Sequence, residues 1–241
     1  MWNLAKLRRS AFYPTALLLS VIAFALLAAA AQKKGAAGTL FAPEKGKFNI
    51  LLDGKSVGHE DFEIAASGGS WTAHGTSSMK PPQGAPSTVT GTLTLQPDGV
   101  PMTYDWSSQA EKSSSAHVLF ANGIAKMTLQ LQGARPFEQD LSFSSPLIVV
   151  LDNNLYHQYA VLARLYDWSK RGKQSFPVLI PQELTPGTIT VDSVGSISAE
   201  GKSYEGLKVV TNDLEIALYL DGSHHLVRME VPAAKVSVVR E

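Results

Sequence analysis

The sequence predicts a mainly β protein: a curved antiparallel sheet, a half-barrel of about ten to twelve strands, wrapped around one central helix. Three observations lead there. Two-residue turn signals such as Asp53-Gly54 and Asn122-Gly123 recur between short segments whose apolar residues alternate. One stretch, beginning near Asn153, changes to a helical period and stands alone in doing so. Cysteine is absent, so no disulfide framework holds the chain and stability has to come from a single buried core.

The chain opens with Lys6, Arg8 and Arg9, continues through an uncharged apolar run from Thr15 to Leu27 and reaches small residues at Ala28 to Ala31. That is the pattern of a secretory signal, and residues 1–31 are read as one, with an uncleaved membrane anchor as the alternative. The 17 residues from Thr15 to Ala31, at about 1.5 Å each, fall slightly short of a ~30 Å hydrocarbon core, and the alanine-rich end suits a signal peptidase better than an anchor. The expected location is the periplasm or cell envelope. Those residues carry three basic and no acidic side chains, so the rest of a chain of balanced charge is left near −3. No basic patch remains to suggest nucleic acid as a partner. Residues 32–45, small, basic and glycine-rich, read as a flexible tether, and 46–241 as a single domain.

Within that domain Phe48, Ile50 and Leu52 alternate with polar residues, Asp53-Gly54 turns the chain, and Val57 to Ile64 returns as the partner strand. Gly68-Gly69, Asp98-Gly99, Asn122-Gly123 and Asp221-Gly222 punctuate further strand pairs in the same way. Thr188 to Val194 and Ser196 to Glu200 read as two separate strands. Alternation leaves one apolar face to each strand, so the sheet has a covered side and a wet side. The helix is the natural cover. Leu147 to Leu151 reads as a strand leading into it, and Asp152 or Asn153 as its N-cap. At helical period Leu155, Tyr159, Leu162 and Tyr166 form one stripe, flanked by Tyr156, Ala163 and Leu165, with His157, Arg164 and Asp167 opposite. Gly172, after Lys170 and Arg171, is the expected stop.

The opening LLDGKSVGHEDFEIAASGGSW pattern, with its VG-x-x-x-F-x-I strand at Val57 to Ile64, and the later LDNNLYHQYAVLARLYDW helix together resemble a known layout. They look like uncharacterised bacterial envelope domains similar in shape to the lipoprotein carriers LolA and LolB. The resemblance covers about Gly46 to Arg240. It implies a curved antiparallel half-barrel with a helical cover over an apolar cavity.

Motifs with chemistry are few. Gly54 to Gly58 has G-x-S-x-G spacing around Ser56, but a hairpin turn here feeds another strand, so there is no helix N-terminus to build an oxyanion hole. Gly195 to Ser203 resembles a phosphate loop, yet five residues rather than four separate its glycines and no long helix follows. Among His59, His74, His117, His157, His224 and His225 no pair has helical i, i+4 spacing. No catalytic residue, metal or cofactor is therefore assigned. His59, Glu60 and Asp61 are read as lying on the wet face opposite Phe62, and His224 and His225 as a solvated turn.

The aromatics suggest a binding role. Tyr156, Tyr159, Leu162, Tyr166 and Trp168, on or just after the helix, and Trp106 on a strand are the candidate lining of an apolar site, the alternative being that they fill the core. Arg164, sharing the polar helix face with His157, is the candidate for an acidic head group. The expectation is an exported, non-enzymatic envelope protein that binds a lipid or other apolar ligand between sheet and helix. The alternative is a packed scaffold or interaction module that recruits an envelope protein partner through a sheet edge. A serine hydrolase using Ser56 ranks below both.

Overall fold

The structure, a computed structural model, describes residues 40–80, 82 and 84–241. The expected signal and the tether up to residue 39 lie outside the described residues. From Phe41 the chain is already part of the fold: that ring is buried against Trp71, with centroids 5.7 Å apart, and the first strand begins at Glu44, inside the stretch read as tether.

The strands are β1 (Glu44–Leu52), β2 (Lys55–Ser67), β3 (Ser70–Met79), β4 (Ser87–Leu95), β5 (Pro101–Gln109), β6 (Ser114–Ala121), β7 (Ile124–Leu131), β8 (Phe137–Ser142), β9 (Val149–Val150), β10 (Gln174–Ile180), β11 (Thr185–Ala199), β12 (Lys202–Val210), β13 (Glu215–Leu220), β14 (Leu226–Val231) and β15 (Val236–Arg240), with helix α1 (His157–Leu165) between β9 and β10. All fifteen belong to one sheet, more than the ten to twelve expected. The order is β8 to β1, then β15 down to β9, so the chain walks outward to β8, crosses inside as α1, and walks back until β15 pairs with β1. Neighbours are antiparallel except β9 and β10. At the far ends β8 comes close to β11, and no ladder joins β8 to β9 among the described strands. The segment that could have closed the barrel fills it instead.

Most turns follow their residues. Asp53 and Gly54 both have positive φ, 50° and 75°, the geometry that suits a two-residue turn to the twist of its strands. Asp221-Gly222 does not make such a turn. The chain runs on to His225, whose carbonyl accepts the Asp221 N–H at 3.0 Å, and His224 takes the positive φ of 61°. The two strands expected around Gly195 are one strand, β11, interrupted by a bulge between Ser193 and Gly195. The phosphate-loop resemblance thus falls on a hairpin.

Helix α1 is shorter than its period suggested, beginning at His157 rather than after Asp152 and ending at Leu165, well before Gly172. A helix this short is not stable by itself in water, so contacts with the sheet must hold it. It is buried nearly all round: His157, Gln158, Ala160, Val161, Leu162, Ala163 and Leu165 are all enclosed, and only Tyr159 and Arg164 keep partial exposure. The expected two-faced helix is in fact a plug. Room for its first turn comes from two glycines paired across β3 and β4, Gly75 and Gly91. A Cβ on Gly75 would collide with the His157 ring and the Glu60 carboxylate; one on Gly91 would meet Leu155 Cδ1 at 2.5 Å and Tyr104 Oη at 2.9 Å. These glycines form a notch in the inner face, and the helix start sits in it.

Candidate functional site

The first turn of α1 is anchored by a residue almost a hundred positions away. Glu60, on β2 and fully buried, accepts the Tyr156 N–H at 2.7 Å and the His157 N–H at 3.2 Å through Oε2, while Oε1 meets His157 Nδ1 at 2.5 Å. A carboxylate there serves two of the four N–H groups that a helix start leaves unpaired and faces the positive end of its dipole. The helix has no side-chain cap of its own, so the sheet supplies it. Glu60 and His157, both expected on wet faces, are fully buried. Glu60 shares strand parity with Phe62, which faces the core, and His157 is held by Glu60 with its ring near-parallel to that of Phe62, 6.4 Å away.

Beside this pair lies a second buried polar group. Asp152 accepts from Tyr104 Oη at 2.8 Å and from Gln182 Nε2 at 2.6 Å, while Gln158 donates to Tyr104 Oη at 3.1 Å and accepts the Asp152 N–H at 2.5 Å. Desolvation pushes the Asp152 carboxyl up to about 7, outweighing the hydrogen bonds that favour its charged form. The Tyr104 hydroxyl is pushed well up by burial and by Asp152. Three buried polar atoms around the helix start lack a protein partner: Ser77 Oγ, Trp106 Nε1 and His157 Nε2. Ser77 stands directly opposite Glu60 on β3. Trp106 Nε1 is near enough to help keep Asp152 charged but lies outside hydrogen-bond geometry. Ser77, His157 and Glu60 are the residue types of a hydrolytic triad. However, Ser77 Oγ and His157 Nε2 do not meet, and both residues are sealed from solvent.

The expected ligand residues are dispersed around the plug. Leu162 and Tyr166 are fully enclosed and Tyr156 nearly so, with burial pushing its hydroxyl up to about 12. Tyr159 is partly exposed and packs on the core. Tyr166 donates to the Gly172 carbonyl at 2.6 Å, and its ring meets Trp168 edge-on at 4.9 Å. Trp168 donates to the Ala163 carbonyl at 3.0 Å, closing the helix C-terminus, and stacks on His224 at 3.9 Å. That stack, with the bond from His224 Nε2 to Glu205 at 3.0 Å, makes the expected solvated turn a lid on the helix end. Arg164 is engaged by Glu44 at 3.4 Å and by the Ser223 carbonyl at 2.9 Å, and Glu44 is held by Arg240 as well. The structure thus spends the helix aromatics and Arg164 on protein contacts. Ser56, the candidate nucleophile, bonds Asn49 Oδ1 at 2.6 Å on the exposed first hairpin.

The inner face of the sheet is not covered everywhere. Along β6, β7 and β8 it begins as core, at Val118, Ala125, Met127 and Leu141. It then runs out through Leu129, Leu131 and Phe137, and the last two are each 48% exposed. Antiparallel partners share a face, so Phe137, opposite Leu129, and Leu131, opposite Ser114, point to the same side as the core. Trp106 sits in the same cross-strand row, two strands from Leu129 through Ala116. Sequence reasoning missed Leu129, Leu131 and Phe137, although the alternation of β7 already carried the signal for the first two. Across the same strands, mainly on the opposite, outer face, runs a groove of about 420 Å³ lined by Ser107, Ser115 and Gln130 among others, with Ser108 and Ser114 of the inner row at its edge. It shares Gln109 with a larger groove, about 640 Å³, between β2 and β5.

The sequence matches no protein-family model, and no curated protein matches it. Among solved structures the fold is similar to a β-barrel-like protein of the domain of unknown function DUF1849 from Brucella abortus, with a TM-score of 0.54 and 11% identity over 83% of this chain and 94% of the other. A weaker likeness, TM-score 0.46 at 10% identity over 73% of this chain and 90% of the other, is to a DUF1089 protein from Pseudomonas aeruginosa. The barrel-like architecture is what the first likeness supports.

Proposed function

We propose that this is an exported, non-enzymatic envelope protein that holds a lipid or other apolar molecule on the bare inner face of β6 to β8, beside the helical plug. The observation that carries it is the exposure of Leu131 and Phe137 on a face that is otherwise core. A sheet face left apolar and wet at its end favours an occupant, at about 25 cal/mol per Å² of apolar surface covered. The signal-like start of the chain supports an envelope location. Native mass spectrometry of the purified protein tests the reading. Copurified apolar ligand, lost in the Leu131→Asp, Phe137→Asp double variant, is the expected result; a ligand-free mass from both proteins, with no uptake of added amphiphile, overturns it.

A second reading, a packed module that recruits an envelope protein, draws on a different observation. Leu155, Leu162 and Ala163 are fully enclosed between sheet and helix, which supports packing there rather than an open site. On this reading affinity purification from envelope extracts recovers a defined protein where lipid extraction recovers nothing.

A further inference from the structure

The apolar strip leads inward to an acid. Trp106 of β5 pairs with Ala116 of β6, Ala116 with Leu129 of β7, and Leu129 with Phe137 of β8, so these side chains stand in one row on the inner face. At about 4.8 Å per strand the row is ~14 Å long. It begins in solvent at Phe137, passes the half-buried Leu129 and ends at the half-buried Trp106. Tyr104, two residues before Trp106 and therefore on the same face, donates its hydroxyl to Asp152 at 2.8 Å. The Trp106 indole also lies close enough to favour the charged form of that carboxyl. Asp152 is thus the polar group at the inner end of the strip.

Its surroundings supply donors but no cation. Tyr104 donates to one carboxyl oxygen and Gln182 to the other, and both are neutral. No lysine or arginine among the described residues pairs with it. The titratable groups around it are Tyr104 on β5, His157 on α1 and, behind His157, Glu60 on β2, and the His157 ring is already committed to Glu60. Burial therefore prevails over the hydrogen bonds and raises the carboxyl. Access runs through Gln182, an exposed residue of the 3-10 turn Pro181–Glu183, whose Nε2 covers Asp152 Oδ1 at 2.6 Å. An exposed carboxamide gives up one such bond to water at little cost, which frees the oxygen for another donor.

We infer that the strip takes a cationic amphiphile, whose ammonium head replaces the Gln182 carboxamide on Asp152 while its apolar part lies along Trp106, Leu129 and Phe137. This rests on the apolar-ligand reading above and adds the charge of the head. An anionic head would face Asp152 and Glu60 together, and a hydroxyl brings no charge to keep the carboxylate ionised. Because the ammonium pairs with the ionised carboxyl, binding in mild acid has first to remove the Asp152 proton.

The test uses dodecylammonium, dodecanol and dodecanoate, which share an alkyl chain and differ in the head. Each is titrated below its micelle concentration into the purified protein at pH 8 and pH 6, with binding read by calorimetry. At pH 8 the ammonium is expected to bind at least about tenfold more tightly than dodecanol, with dodecanoate the weakest. An alkylammonium stays charged across this range, so its affinity should fall about tenfold at pH 6 while that of dodecanol stays level. Asp152→Asn should abolish both the preference and the pH dependence while still taking up dodecanol. Gln182→Ala, a change at an exposed side chain, should tighten ammonium binding, and the Leu131→Ser, Phe137→Ser variant should weaken all three ligands. Circular dichroism and the thermal midpoint confirm that the variants are folded. Equal binding of the three heads, a preference for dodecanoate, or an ammonium affinity indifferent to pH overturns the cationic assignment and leaves the apolar strip standing. Failure of all three to bind at either pH overturns the strip itself.

Discussion

Two parts of one inner face are treated in opposite ways. Over β2 to β5 the sheet gives up side chains at Gly75 and Gly91, takes in a helix end and seals it with a buried carboxylate. Over β6 to β8 the same face keeps large apolar side chains and leaves the last of them in water. The first region is built for a fixed occupant that the chain itself supplies. The second is the surface proposed above for an occupant that comes and goes. Stability should therefore depend on the notch and binding on the strip, and mutations should separate the two.

The largest effect belongs to the anchor. Glu60→Ala strands the His157 ring and two helix N–H groups inside the protein, and should cost about 3–5 kcal/mol in urea unfolding. A loss below about 1 kcal/mol would mean that the plug is held by packing alone. Gly75→Ala asks for a methyl where His157 and Glu60 already are, and should cost about 1–3 kcal/mol, provided the helix start can shift slightly. Retained stability there would remove the notch from the explanation.

A pH series reads the second buried acid. Asp152 titrates near 7 in the folded protein, against 3.8 as its ordinary value, so between those values the folded state holds a proton that the unfolded state has lost. Its contribution to stability is fully present below about 4 and is lost as pH rises through 7. Lowering the pH from 8 to 6 should therefore stabilise the protein by about 1 kcal/mol from this group, and Asp152→Asn should flatten that slope. A slope unchanged by the substitution would assign it to other groups. The smallest effect on stability is expected at the strip: Leu131→Ser and Phe137→Ser should each move the unfolding midpoint by no more than about 0.5 kcal/mol. If either costs as much as a core leucine, that face is covered and the contrast fails.

What could be read in advance follows the range of the interactions. Turns such as Asp53-Gly54, strand alternation and the change to a helical period are local, and they gave the β class and one central helix, though not its all-round burial. The helix start was misplaced because Asp152 and Asn153 resemble a cap, whereas the acceptor that caps the first turn is Glu60, which no local pattern connects to Tyr156. Glu60 itself was legible, since two residues before the core-facing Phe62 it must face inward. Its charge argued for the wet side, and burial prevailed because the N–H groups of the helix start and His157 offered partners. Strand β8 was missed because Phe137, Gln139 and Leu141 alternate only weakly with Glu138 and Asp140. With it went the neighbour that reveals the bare strip. The helix aromatics looked like a ligand site because a stripe cannot tell whether its facing surface is protein or guest.

The joining of β1 to β15 has a kinetic consequence. Phe48 pairs with Arg240, so the ladder in the middle of the sheet waits for residues at opposite extremes of the domain to meet. Such remote pairing is slow to nucleate, and until it happens the two meanders are separate ribbons with their central edges open. A chain organised this way stays loose until its final strand is available, and snaps into a single cooperative unit only then.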